Sequence, residues 1–307
     1  MEEKKIKICT VRAEVLNEKG EIEYFLKPVK PLGKGTFSHV DLFERKFPDG
    51  KKDHVAMKRP NHKNLNFMKE AVFQDTLHRK LKQYGLSFCV AEVYDIIQFQ
   101  QSKLISFLME CFEPVFLDRW LELQFQKQKD TRYFVAKFLL QIALILEVFE
   151  ERLHIDHRDI KTNNMIVLES PVHIDIKWKE KRKTIDFPFR IVFLDFGYAC
   201  RGEKDENSKI PPIDPCPKLG RDFYQVLACL WNIKILRYYL EAASWGKWIR
   251  ERLESCMPNH GLHKIEGSKD LSWLVDATDL QHFVAPLCAP SVVINDCLTI
   301  LEEYESS

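Results

Sequence analysis

The sequence lacks the features that would place the protein outside the cell or in a membrane. Its nine cysteines are an odd number, spread from Cys9 to Cys297, and no two form a Cys-x-x-Cys pair. This pattern argues against a disulfide framework or a zinc site and for a reducing compartment. The N-terminus leads into no apolar signal region, and no run approaches the ~18 apolar residues that a membrane span needs. We therefore expect a cytoplasmic protein with no membrane span.

An excess of charge of either sign is also absent. The formal net charge is +1 for 307 residues, which implies no strong attraction to nucleic acid or to an acidic membrane. The densest basic run, residues 177–190, is typical of a solvated hairpin tip, so we expect no nucleic-acid partner. No internal repeat or low-complexity tract is present, and the length suffices for one large domain or two modest ones.

Residues 157–164 (HRDIKTNN) carry the densest set of candidate catalytic groups. Asp159, Lys161 and Asn164 lie close together in a stretch that is too polar to be core, and they offer a base, a cation and an amide to one phosphoryl group. The tripeptide Asp195-Phe196-Gly197 comes later, directly after an apolar run. The order and spacing of the two motifs are similar to those of the catalytic loop and the metal-binding turn of a protein kinase.

A glycine-containing loop and a lysine precede this segment. Residues 32–40 read LGKGTFSHV, and two close glycines let backbone N–H groups approach a phosphate. The pattern of these residues, GxGxxSxV, departs at Ser38 from the GxGxxGxV that is usual in the glycine-rich loop of protein kinases. The apolar strand that follows ends in Lys58, which is placed to contact the α- and β-phosphates of a nucleotide. A helix predicted over 64–83 offers Glu70 as the acidic partner of Lys58, with Asp75 as the alternative.

Together these motifs resemble the protein kinase superfamily, from about residue 24 to residue 235. The resemblance implies that Asp159 is the catalytic base and that Lys161 contacts the γ-phosphate, as in serine/threonine kinases. Asn164 and Asp195 would bind two Mg²⁺ ions. The implied catalytic residues are Asp159, Lys161, Lys58 and Glu70. The residues implied to bind ATP are Leu32, Gly33, Lys34, Gly35, Thr36, Phe37, Ser38, Val40, Ala56, Lys58, Met109, Glu110 and Phe112.

The same resemblance implies an α+β, bilobal, protein-kinase-like fold. Residues 1–109 would form a small β-rich N-lobe with the glycine-rich loop, the strand lysine and a single regulatory helix. Residues 110–114 would be a hinge, and residues 115–307 a larger helical C-lobe with the catalytic loop, the Asp-Phe-Gly turn and a shortened activation segment. A strand pair is expected over 165–168 and 191–194, joined by a surface insertion.

The expected activation segment, residues 198–220, departs from the family. It is polar and Pro-rich, it lacks the Ala-Pro-Glu motif, and Ser208 is its only hydroxyl residue besides Tyr198. We expect Asp222, just beyond it, to be buried and to hydrogen-bond the catalytic-loop backbone. Arg158, which in the family often pairs with a phosphorylated residue of this segment, is expected in a fixed structural contact. These departures resemble kinases of large DNA viruses.

The sequence thus predicts an ATP-dependent serine/threonine protein kinase that acts on protein hydroxyls without activation-loop phosphorylation. Six parts of the kinase machinery occur in the required order: the glycine loop, the strand lysine, the helix glutamate, the base, the metal-binding asparagine and the metal-binding aspartate. A nucleotide-binding pseudokinase that serves as a scaffold would be expected to have lost one of them. A small-molecule kinase of the same fold is the other alternative, favoured by the missing Ala-Pro-Glu motif. If the protein is viral, we expect it in the host cytoplasm or the virion.

Overall fold

The computed structural model describes residues 4–62, 65–113, 115–202, 216–256, 261–269 and 271–306. The chain divides into two compact units, Met1–Glu113 (unit 1) and Pro114–Ser307 (unit 2). Among the helices described, none combines the length and the apolar character needed to cross a lipid bilayer.

Unit 1 is built mainly from strands. Its strands are β1 (Ile6–Cys9), β2 (Glu14–Leu16), β3 (Ile22–Lys34), β4 (Ser38–Lys46), β5 (Lys52–Pro60), β6 (Val93–Phe99) and β7 (Ile105–Glu110). The α-helix of its described part is α1 (Met68–Leu81), and short 3₁₀ turns follow at Lys82–Tyr84 and Ser87–Cys89.

The seven strands of unit 1 close into a barrel in the order β1-β2-β3-β4-β5-β7-β6. Strand β1 pairs antiparallel with β2 on one side and parallel with β6 on the other, with Ile6 opposite Ile96. The interior is filled by a cluster of buried side chains, Cys9, Val15, Tyr24, Leu26, Phe43, Val55, Met57, Ile97 and Leu108. Full burial of such a side chain stabilises the fold by roughly 1.5–3 kcal/mol.

The closed barrel corrects the predicted bilobal protein-kinase-like fold. The chain does mix helices and strands, but a fold of that kind has an open sheet in its N-lobe, whereas β1 and β6 here seal the sheet. The prediction failed because apolar alternation near the N-terminus indicates a strand without naming its partner. The partner of β1 lies far along the chain, with Cys9 opposite Phe99.

Unit 2 is mainly helical. Its helices are α2 (Leu117–Lys127), α3 (Thr131–Glu147), α4 (Arg221–Asn232), α5 (Lys234–Ala242), α6 (Gly246–Cys256), α7 (Gly261–Glu266), α8 (Trp273–Thr278) and α9 (Pro290–Glu305). A π-helical turn spans Val148–Arg152, and 3₁₀ turns span Thr162–Asn164, Phe196–Tyr198 and Pro286–Cys288. The strands are β8 (Val115–Phe116), β9 (Ile155–Asp156), β10 (Met165–Leu168), β11 (Val172–Trp178), β12 (Lys181–Phe187), β13 (Arg190–Phe193) and β14 (Cys200–Arg201).

Helix α3 lies in the core of unit 2 and precedes residues 157–164 in the chain. It begins after Asp130, whose side chain accepts a hydrogen bond from the N–H of Tyr133 at 3.0 Å, as an N-cap residue does. Most of its side chains are buried, in agreement with the apolar stripe in the sequence. The π-helical turn is followed by β9, which ends directly before residues 157–164.

The strand pair predicted after those residues is present. Strands β10 and β13 pair antiparallel, and the expected insertion between them is the hairpin β11–β12. Its two turn residues, Lys179 and Glu180, both have positive φ, as a two-residue hairpin turn requires. The basic run 177–190 therefore includes the tip of this hairpin, as predicted, and continues along β12 to the start of β13.

Gly220 sets the start of α4, and its replacement should be costly. Its φ is +71°, and a Cβ would lie 2.2 Å from the carbonyl oxygen of Ala285. We expect Gly220→Ala to destabilise the protein by roughly 3 kcal/mol or more. Gly50 is the matched control, since its φ is +88° but a Cβ would meet nothing within 4 Å. Gly50→Ala should cost only the backbone strain, about 1 kcal/mol. Urea denaturation of both variants measures the difference; equal losses would contradict the steric argument.

Candidate active site

Asp159, Lys161 and Asn164 form one hydrogen-bonded cluster in unit 2, between β9 and β10. The ammonium of Lys161 lies 3.0 and 2.8 Å from the two carboxylate oxygens of Asp159. The amide nitrogen of Asn164 donates to Oδ2 of Asp159 at 3.0 Å and to its carbonyl oxygen at 2.8 Å. These contacts fix the Asp159 carboxylate, and they leave the amide oxygen of Asn164 as the atom that could coordinate a cation.

The backbone holds Asp195 close to Asn164. The N–H of Leu194 donates to the carbonyl oxygen of Asn164 at 2.8 Å, at the end of the β10–β13 pair. Asp195 follows in the left-handed region, with φ +63°, and its carboxylate accepts a hydrogen bond from the N–H of Gly197 at 3.4 Å. The two candidate metal ligands, Asn164 and Asp195, are therefore held near each other by the hydrogen bond between Asn164 and Leu194.

Asp222, in the first turn of α4, anchors the backbone of residues 157–164. Its carboxylate accepts hydrogen bonds from the N–H groups of His157 at 2.6 Å and Arg158 at 2.9 Å. Burial raises the pKa of this carboxyl, and the two N–H donors act in the opposite direction. The predicted contact between Asp222 and the backbone of residues 157–164 is confirmed.

Gln225, which the sequence analysis did not identify, holds the same backbone on both sides of Asp159. Its Oε1 accepts from the N–H of Ile160 at 2.9 Å, and its Nε2 donates to the carbonyl oxygen of Arg158 at 2.7 Å. A signal for it was present, because positions three apart lie on the same side of a helix. Gln225 stands three residues after Asp222 on α4.

The side chain of Arg158 lies in a fixed ion pair with Asp279. Its Nε donates to Oδ1 of Asp279 at 3.1 Å, and one of its terminal nitrogens pairs with the other oxygen. Asp279 also pairs with Arg221, whose fully buried guanidinium lies 2.7 Å from Asp156. The expected structural contact of Arg158 is present. No sequence pattern indicated Asp279, which lies 121 residues from Arg158.

His157 packs residues 157–164 against the Asp-Phe-Gly turn. Its Nε2 lies 2.9 Å from the carbonyl oxygen of Leu194, so this nitrogen carries the proton and donates. Its ring centre lies 4.8 Å from that of Phe196. Burial lowers the pKa of the imidazole. We infer a neutral packing residue and not a general base.

A group of mostly buried carboxyls, Glu150, Asp156 and Asp222, lies next to residues 157–164. Burial raises the pKa of Asp156 to about 7, and the charge of Asp222 raises it further against the effect of Arg221. Burial raises the pKa of Glu150 to about 8, and the charge of Asp156 adds to this effect. The two carboxylate oxygens of Glu150 lie 3.2 and 3.4 Å from the N–H of Gly220.

Asp156 also lies near two cysteines, but the three do not form a metal site. Possible ligand atoms of Asp156, Cys200 and Cys216 lie within 4.8 Å of one another. The two sulfurs, however, form a disulfide, and a disulfide sulfur is not the thiolate that binds a metal. The expectation of reduced cysteines is thus wrong for this pair, while the other seven cysteines are free. Ser208, between them in sequence, lies outside the described residues.

Lys58 and Glu70 form a buried ion pair in unit 1. The ammonium of Lys58, on β5, lies 2.6 Å from Oε1 of Glu70 in the first turn of α1, and each side chain is 7% exposed. Asp75, the alternative partner, contacts Arg79 at 2.5 Å and Lys4 at 3.7 Å. Removal of either partner would leave the other as an uncompensated buried charge and would destabilise unit 1. The ion pair therefore keeps both charged groups in place.

Residues 32–40 form the hairpin turn between β3 and β4. The candidate residues of this segment are Leu32, Gly33 and Lys34 on β3, Gly35, Thr36 and Phe37 in the turn, and Ser38 and Val40 on β4. The amide nitrogen of Asn61 donates to the carbonyl oxygens of Gly35 at 3.0 Å and Thr36 at 3.3 Å. A Cβ at Gly33 would meet no atom within 4 Å and one at Gly35 none closer than 3.8 Å, and neither residue has positive φ. The fold of unit 1 therefore does not require these two glycines.

Several other ATP-binding candidates share the outer face of the barrel wall. Val40 lies opposite Lys58, and Ala56 lies opposite Met109. Cross-strand partners point to the same face of a sheet, and the alternate residue Met57 fills the interior. Glu110 ends β7, where its N–H donates to the carbonyl oxygen of Glu92 at 2.8 Å. Phe112 follows β7 and is half-buried.

Comparisons with known proteins add no family to this picture. The chain matches no protein-family model and no curated protein. The resemblance to protein kinases therefore rests on the order of the motifs in the sequence, since the closed barrel of unit 1 departs from the fold expected of that family. The contacts of the residues described above are therefore the basis for the proposed function.

The pKa of Glu150 makes a prediction about stability and pH. In the unfolded chain this carboxyl titrates near 4.5, and in the folded protein near 8. Between these values the folded state holds the proton more tightly, so the stability of the protein falls as the pH rises through this window. Glu150→Gln removes the titration and keeps an oxygen that can accept from Gly220. We expect wild type to lose roughly 3 kcal/mol of stability between pH 5 and pH 8 that this variant keeps.

Urea denaturation across that pH range measures the effect. The exposed neighbour Glu151 provides the control, because Glu151→Gln removes the same charge without removing a buried carboxyl. If the free energies of unfolding of wild type and Glu150→Gln changed in parallel with pH, burial would not raise the pKa of Glu150.

Proposed function

We propose that this protein is an ATP-dependent phosphotransferase that transfers the γ-phosphoryl group to serine and threonine hydroxyls of a protein substrate. The observation that carries the proposal is the cluster of Asp159, Lys161 and Asn164 next to Asp195. A fixed carboxylate, a neighbouring ammonium and two hard oxygen ligands are the groups that phosphoryl transfer uses. Their support by Asp222 explains how an irregular segment keeps them in place.

In this proposal Asp159 orients the substrate hydroxyl and accepts its proton. The hydroxyl oxygen forms a bond to the γ-phosphorus while the bond to the bridging oxygen breaks, and ADP leaves. Lys161, whose side chain is 46% exposed, compensates the negative charge of the γ-phosphoryl group. The ammonium of Lys161 already lies against the carboxylate of Asp159. The cation can therefore contact the γ-phosphoryl group while the base contacts the substrate hydroxyl that attacks it.

Asn164 and Asp195 would hold Mg²⁺ in this scheme. An amide oxygen and a carboxylate are hard donors, which fit Mg²⁺ better than a soft metal. Bound Mg²⁺ supplies positive charge that offsets the charge of the phosphates.

The residues of unit 1 support nucleotide binding. Lys58 carries a cation fixed by Glu70, and it shares the outer barrel face with Val40 and Ala56. Gly33 and Gly35, which the fold does not require, place no side chain between a phosphate and the backbone of this turn. The N–H of Gly35 itself donates to the carbonyl oxygen of Ser38 at 2.8 Å. We propose that Lys58 contacts the α- and β-phosphates of ATP.

Phosphoryl transfer to a small molecule is the second candidate function. The observation that favours it is the missing Ala-Pro-Glu motif in residues 198–220.

As compartment we propose the cytoplasm, which is that of a host cell if the protein is viral. The seven free cysteines support it, and the disulfide Cys200–Cys216 is the observation against it.

The proposed base can be tested by transfer of labelled phosphate from Mg-ATP to a mixture of basic and acidic proteins. We expect wild type to label serine and threonine, and Asp159→Asn to lower the rate by roughly 10²–10⁴-fold because the base is lost. Asp186→Asn is the control, since Asp186 is an exposed carboxylate on β12. Equal rates for wild type and Asp159→Asn would exclude Asp159 as the base. Labelling of metabolites alone would favour the small-molecule reaction.

Activity should not depend on phosphorylation of the protein itself. The guanidinium of Arg158 already has a carboxylate partner in Asp279, so it needs no phosphate to hold it. We expect phosphatase treatment, followed to completion by mass spectrometry, to leave the transfer rate unchanged. Loss of transfer after this treatment, with recovery on rephosphorylation, would contradict the expectation.

A further inference from the structure

Asp279 is the meeting point of two arginines in unit 2. It follows α8, and its carboxylate pairs with the guanidinium groups of both Arg158 and Arg221. Arg158 approaches it through two nitrogens, each on a different carboxylate oxygen. Such a two-point contact fixes direction as well as distance, and it is stronger than a contact between single atoms.

The residue that Asp279 holds has a backbone conformation that needs support. Arg158 has φ +70°, in the left-handed region, which costs a residue with a Cβ roughly 1–2 kcal/mol. It stands directly before Asp159. Its N–H is bound by Asp222 and its carbonyl oxygen by Gln225, and the contact with Asp279 fixes its side chain. The strained conformation is thus fixed at three points, one of which is supplied from outside α4.

The turn that carries Asp279 also reaches the catalytic segment through its preceding residue. The hydroxyl of the fully buried Thr278 accepts from Nε2 of Gln225 at 2.8 Å. The ammonium of Lys218 donates to the carbonyl oxygen of Thr278 at 3.3 Å. Residues 278 and 279 therefore form a rigid support for Gln225 and Arg158 together.

We propose that Asp279 is a positioning residue for the phosphoryl-transfer site. By fixing Arg158 it holds the peptide before Asp159, and so sets the direction of the Asp159 carboxylate. A permanent carboxylate takes the place that a regulatory phosphate could otherwise fill. The inference rests on the proposed function, because it assigns Asp279 a role in the orientation of the proposed base.

The test compares Asp279→Asn, Asp279→Glu and Arg158→Met in the labelled-phosphate assay with the full chain. We expect Asp279→Asn to lower kcat at least roughly tenfold with little change in KM for ATP, and Asp279→Glu to recover part of the loss. Arg158→Met should cause a similar loss. The double variant should be no worse than Asp279→Asn alone, since Arg158→Met removes a contact that Asp279→Asn has already weakened. Asp276→Asn, an exposed carboxylate on α8, should retain wild-type kcat.

An unchanged kcat in Asp279→Asn, or losses that add in the double variant, would overturn the inference. If Asp279→Asn fails to fold, Arg158→Met decides, because it leaves the contact between Asp279 and Arg221 in place; normal kcat in folded Arg158→Met would then refute the role. Failure of the proposed function is distinguishable. In that case wild type and Asp159→Asn transfer no phosphate at all, whereas failure of this inference alone leaves wild type active, Asp159→Asn inactive and Asp279→Asn normal.

Discussion

The carboxylate of Asp222 accepts hydrogen bonds from two consecutive N–H groups, and the proposed active site depends on this contact. Residues 157–164 form few regular hydrogen bonds of their own, so their buried polar groups have to be satisfied by side chains from elsewhere. Asp222 satisfies the N–H groups of His157 and Arg158, and Gln225 satisfies the groups on either side of Asp159. Helix α4 therefore acts as the support on which the proposed base is placed.

This support requires a buried charge cluster, which limits how the site could change. Arg221 is fully buried and pairs with both Asp156 and Asp279. Ions in such surroundings are costly unless they are paired and hydrogen-bonded. Loss of one member would leave its partners uncompensated, so the cluster and the catalytic segment are coupled. The same desolvation that makes the cluster costly keeps water away from the peptide groups it fixes.

The sequence was informative where a function or a local pattern is encoded by neighbouring residues. The pair β10–β13, the hairpin in residues 169–190 and the contact of Asp222 followed from apolar runs, charge pattern and motif order. Glu70 and Asp75 could not be separated by sequence, since both lie on the expected helix; the observed contact of Lys58 is with Glu70. Closure of the barrel, the disulfide Cys200–Cys216 and the role of Asp279 depend on contacts between distant positions. No periodicity of the chain encodes such contacts.

The pairing of β1 with β6 has a consequence for the order in which unit 1 can assemble. During synthesis β1 appears first, but its parallel partner follows only when residues 96–99 are available. Until then the edge of β1 that pairs with β6 stays open, and such unpaired edges template association with other chains. Contacts of large sequence separation also slow folding, because the closure entropy precedes the gain. We therefore expect the barrel to close late in folding, with the open edge of the unfinished sheet as a point where aggregation can begin.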